Sequence, residues 1–171
     1  RDRSPSRGLG DVYKRQVLTA TLTASWACVL VCLLIAFAFI AAVVGVDFGP
    51  HVGLCLVAIG AASLMSSAAG AALGSAGGAG IGVVSAITCL LSLFTGLYGP
   101  GAQSVANAVE LNAPLLAQAN PLWQASHCFY ALLYYDSLEP FARSCAVLAG
   151  MTGLFLAIAL IRARRMTHEH L

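Results

Sequence analysis

Six cysteines, four histidines and seven acidic residues are the reactive side chains of this 171-residue sequence. Cys28, Cys32, Cys55, Cys89, Cys128 and Cys145 include no C-x-x-C pair. Cys28 and Cys32 share a helix face, but no His or acid stands beside them to complete a metal site. The cysteines read instead as small apolar packing residues. Cys128 and Cys145 both map near one surface, and the sequence leaves their pairing open. His168 and His170 lie in a polar tail and His51 in a short turn. His127 adjoins Cys128, yet even with an acid such as Asp136 it has no nucleophile at a recognisable spacing. Gly78-Ala79-Gly80-Ile81-Gly82 looks like a phosphate loop, but no Lys-Ser or Lys-Thr follows, so it is not a P-loop. No strand precedes it and no acid follows about 20 residues later, as a dinucleotide fold requires. The chain carries no catalytic, metal or cofactor constellation and no visible means of hydrolysing ATP.

Composition says what surrounds these side chains. The sequence is 59% hydrophobic and 9% charged, with a mean hydropathy of +0.84. A soluble domain carries roughly a quarter charged residues, so a water-soluble globule, a disordered chain and a disulfide-stapled secreted domain are all excluded. From Gln16 to Tyr135 the only charges are Asp47 and Glu110. The net charge of +2 depends on residues 1–15, which hold five basic and two acidic side chains. Without them the balance is −1, from Asp47, Glu110, Asp136, Glu139 and Glu169 against Arg143, Arg162, Arg164 and Arg165. No basic patch interleaved with aromatics is present, so nucleic acid is not a partner. No Asp, Glu, Lys, Arg or His sits mid-span to run a proton relay or an ion-coupled carrier.

The polar head is a separate problem. The apolar stretch after it is too long for a signal-peptide core, and no small-residue cleavage site closes it. Ser4-Pro5-Ser6-Arg7-Gly8-Leu9-Gly10-Asp11-Val12-Tyr13-Lys14-Arg15-Gln16 resembles a translated sequencing-adapter peptide that recurs at the ends of unrelated predicted proteins. That resemblance implies a non-native head over residues 1–16, a membrane domain over 17–171, and native sequence missing before Val17.

Four apolar blocks follow, at about 24–46, 52–73, 78–98 and 141–161. About 20 residues of helix cross a ~30 Å hydrocarbon core. Backbone groups in lipid must be satisfied within the segment, and barrel-type alternation is absent, so the expected fold is an all-α integral membrane bundle of four spans. Asp47-Phe48-Gly49-Pro50-His51 is a turn with a Gly-Pro breaker. Arg162, Arg164 and Arg165 mark the end of the last block as cytoplasmic. An even number of spans then places the 47–51 turn and the 99–140 connection outside.

A structureless connection of that length is uncommon. It reads as two helical pieces, one over Ala102–Leu111 interrupted near Pro114, the other starting at Asn120-Pro121. Asn is a favoured N-cap and Pro a favoured first helical residue. Trp123, Phe129, Tyr130, Tyr134 and Tyr135 then crowd 13 residues. Such an aromatic helix lies in, or dips into, the outer membrane interface. Gly70, Gly74, Gly78 and Gly82 recur every fourth residue. Gly74 to Gly78 reads as a turn between spans, whereas Gly70 and Gly82 fall within spans as sites of close helix packing.

The stretch NPLWQASHCFYALLYYDSLEPF, followed by an apolar span and Arg162-Ala163-Arg164-Arg165, resembles the C-terminal end of type-2 ABC transporter permeases. The resembling features are the Asn120-Pro121 helix start, the Tyr134-Tyr135-Asp136 end and the basic tail. The layout agrees over residues 17–171, with the specific part at about 120–165. Family members typically have six spans, so the four here correspond to the last four. The resemblance implies a permease subunit of an ABC-type exporter in the plasma membrane. Its implied partners are a separate ATP-hydrolysing subunit, which would hold ATP and magnesium, and a second permease unit in a homo- or heterodimer. The alternative is a four-span structural or regulatory membrane protein without transport activity.

Overall fold

The computed structural model describes residues 5–75 and 80–166. Among them there is helix and no strand, and the chain is an all-α membrane bundle. Helix α1 (Pro5–Phe39) runs into a π-helical turn at Ile40–Val44. Residues 5–16 of the head are its first turns. The π turn closes at Gly45, whose φ of 75° is open to glycine at no steric cost and whose N–H donates to the Ile40 carbonyl. Asp47 Oδ1 accepts from Gly49 N at 2.8 Å in the turn that follows. Then come α2 (Val52–Gly74), α3 (Ile81–Leu93), α4 (Pro100–Asn112), α5 (Pro114–Ala119), α6 (Pro121–Tyr134) and α7 (Glu139–Met166).

Three segments are long and apolar enough to cross a membrane, namely Thr19–Val44, Gly49–Gly74 and Glu139–Arg162. They correspond to the first, second and fourth apolar blocks. The third block forms the shorter apolar helix α3. Its helix has only 13 residues, and at 1.5 Å per residue it measures about 20 Å. The cause is local. Ser92 Oγ and Thr95 Oγ1 bond back to the Cys89 and Ser92 carbonyls at 2.8 and 2.6 Å, and Gly96 follows with a φ of 77°. A side chain at Gly96 would also meet the Gln103 backbone at 3.4 Å, because this turn packs on the first turns of α4. The expected connection between the second and third blocks falls partly on residues 76–79, outside the described residues, as do Gly78, His168, Glu169 and His170.

Helix α2 is the central span. Its buried face carries Cys55, Ala58, Ile59, Ser63, Met65, Ala68 and Ala72, mostly small residues that let neighbouring backbones come close. Early residues of α2 (Cys55, Ala58) and of α7 (Phe141, Leu148) share one core, as two spans entering from the same side do. Cys128, Ala131 and Leu132 of α6 complete it. The aromatic helix therefore leans into the bundle and does not merely lie on it.

Helix α1 is peripheral, and its apolar window buries nothing. One polar contact fastens it: Trp26 Nε1 donates to Ser63 Oγ at 3.0 Å, and Ser63 Oγ donates to the Gly60 carbonyl at 2.8 Å. Hydrogen bonds between membrane helices contribute about 0.5–1.5 kcal/mol each. Trp26→Phe and Ser63→Ala should each lower stability in detergent by about that amount. The double variant should be little worse than either single one, because both remove the same bond. Thermal unfolding of the three variants reads this directly, and additive losses would mean that the bond contributes nothing.

Candidate functional site

Helix α6 and its contacts carry the residues singled out by the sequence. It starts at the Asn-Pro pair. Asn120 Oδ1 accepts from Leu122 N at 3.0 Å, and Pro121 occupies the first turn. The other end of the same amide reaches a different element, since Asn120 Nδ2 donates to the Leu91 carbonyl at 2.8 Å. A buried side chain thus caps one helix and ties it to the end of α3. Tyr134, Tyr135 and Asp136 mark the far end of α6, all exposed. The five residues do not converge on one spot: they bracket a 14-residue helix, about 21 Å long. Gly70 and Gly82 are elsewhere and exposed, and a methyl group on either would meet no described atom within 4 Å.

The middle of α6 meets α7 through two consecutive residue pairs. His127 Nδ1 and Ser144 Oγ are 3.0 Å apart. Cys128 Sγ and Cys145 Sγ are 3.8 Å apart, both as free thiols. Trp123 stacks on the His127 ring with centroids 4.6 Å apart, and Tyr135 approaches it at 6.1 Å. Burial pushes the His127 imidazole below its ordinary range, with Glu110 pulling it up and Arg143 pushing it down. Burial, reinforced by Cys145, pushes the Cys128 thiol up to about 12. A neutral imidazole and a protonated thiol suit a packed seam better than a nucleophilic centre.

Polar side chains also join the pieces of the outer segment. Gln124, buried, donates from Nε2 to the Gln118 carbonyl at 2.8 Å, and Arg143 donates to Gln118 Oε1 at 3.2 Å. The sequence reading did not single out Ser63, Gln118, Gln124 or Ser144. A hydroxyl within an apolar block, or an amide on a helix with an apolar face, is a visible signal, but its partner is not.

Residues 9–161 match a family model described as an ABC-2 family transporter protein. The chain belongs to that family. No curated protein and no solved structure matches it significantly. The ABC-2 permease is therefore a membrane-embedded transport component and not itself a catalytic enzyme. Its polar groups hold helices together.

Asn120→Ala removes both the cap and the tie to α3, and should cost about 1–3 kcal/mol. Asn120→Ser should recover only the cap. Thermal unfolding, with protease sensitivity of the 94–99 turn, distinguishes the two contributions. The depressed His127 pKa fixes a sign: as pH falls below about 6.5 the unfolded chain takes up the proton first, so acid weakens the fold until the folded value is also passed. His127→Gln should flatten that dependence in unfolding midpoints measured from pH 7.5 to 5.

Proposed function

We propose that this ABC-2 permease forms part of a substrate pathway in an ABC-type exporter, with ATP hydrolysed by a separate subunit. Membership of the family carries the reading. The sequence supports the division of labour, since its glycine run lacks the Lys-Ser or Lys-Thr of a P-loop. ATP and magnesium belong to the partner. The partner supplies the free-energy difference between two arrangements of the permease, and it can do so only by binding them unequally.

The geometry suggests where the pathway is capped and where another unit docks. Helix α6 leans on α2 and α7, and α4 and α5 connect it to α3, which supports reading this segment as the outer cap. Helix α3 buries no side chain in its own chain. Its open apolar surface, with exposed Gly70 and Gly82, suits a second permease unit. Arg162, Arg164 and Arg165 support a cytoplasmic C-terminal end of α7 under the positive-inside rule, and the family reading implies the plasma membrane as the host bilayer.

The test is purification of the tagged permease from its native membrane in mild detergent. A P-loop ATPase should co-purify in near-stoichiometric amount, and an ATPase-inactivating substitution in that partner should abolish ATP-dependent uptake into inverted vesicles. A permease that purifies without any nucleotide-binding partner would favour the structural or regulatory reading.

A further inference from the structure

We propose that Cys128 and Cys145 form a thiol–disulfide site that fastens the outer helix α6 to the last span α7. Their sulfurs are 3.8 Å apart. A disulfide needs about 2.05 Å, so closure requires an approach of less than 2 Å between side chains already in van der Waals contact. The register is held independently by the preceding pair, His127 and Ser144, at 3.0 Å. Cysteine pairing is thus a property of the seam between two helices and does not depend on the transport reading.

The two thiols differ in access, which orders the chemistry. Cys145 is partly exposed and Cys128 is fully buried. An incoming disulfide, such as oxidised glutathione, meets Cys145 first. The Cys145 thiol gives its proton to solvent, and the thiolate attacks one sulfur of the incoming S–S bond. The other sulfur leaves as a thiolate and is protonated. Cys128 then loses its proton and attacks Cys145 Sγ, expelling the second half of the reagent as a thiol. Two protein thiols are oxidised and one reagent disulfide is reduced to two thiols. Burial of Cys128 makes the second step the slow one. Closed, the site joins residues 17 apart in sequence and holds α6 on α7. Reduced, it leaves α6 attached to α7 by packing and by the His127–Ser144 contact.

The experiment treats the full chain in detergent with oxidised glutathione and quenches with a maleimide. The six thiols should fall to four, and peptide mapping should recover Cys128 linked to Cys145 with the loss of two hydrogens. Cys128→Ser should trap glutathione on Cys145, whereas Cys145→Ser should leave Cys128 unmodified. Dithiothreitol should restore all six thiols. Six thiols remaining after oxidation of the folded wild-type chain, or linkage through any other cysteine, overturns the proposal without recourse to a variant. The wild-type mapping also stands if a variant does not fold.

Discussion

In hydrocarbon a peptide N–H or C=O without a partner costs several kcal/mol, and no water is present to repair it. Two departures from regular helix among the described residues carry their own repair. Where α1 widens into the π turn, Gly45 and Val46 both donate to the Ile40 carbonyl. Where α3 stops short, the Leu91 carbonyl is met by Asn120 and the nearby carbonyls by Ser92 and Thr95. Among the described residues no buried side-chain nitrogen or oxygen lacks a partner. At both of these breaks a side chain or a glycine satisfies the backbone.

The same economy explains why small residues concentrate on α2. A bundle in lipid has little hydrophobic drive to hold its helices together, because lipid tails are as apolar as leucine. Close backbone approach and a few interhelical hydrogen bonds must do it. Helix α2 offers a face of alanine, serine and cysteine, and α6 and α7 pack on it. Helix α1 also packs along α2, with Phe37 against the core, and adds the Trp26–Ser63 hydrogen bond.

How much of this was legible in the sequence follows from how local each cause is. Charges at Asp47 and Arg162 delimit spans because lipid rejects charge wherever it occurs. Asn120-Pro121 announces a helix start because cap and first turn are adjacent. The short α3 escaped notice because hydropathy is indifferent to the turn that Ser92, Thr95 and Gly96 make within an apolar run. Helix α5 (Pro114–Ala119) shows in the sequence only as an interruption, since a six-residue helix has no period to detect. The Trp26–Ser63 and His127–Ser144 contacts span 37 and 17 residues, and no spacing rule reaches them. Asn120's second bond, to α3, was hidden for the same reason.

The shortness of α3 has a consequence for the lipid around it. A helix of about 20 Å facing a hydrocarbon layer of about 30 Å is mismatched by roughly a third of the layer. Lipids at such a surface thin and tilt to cover it, at a fraction of a kcal/mol per ångström. A second permease unit docked on α3 would take the place of those lipids.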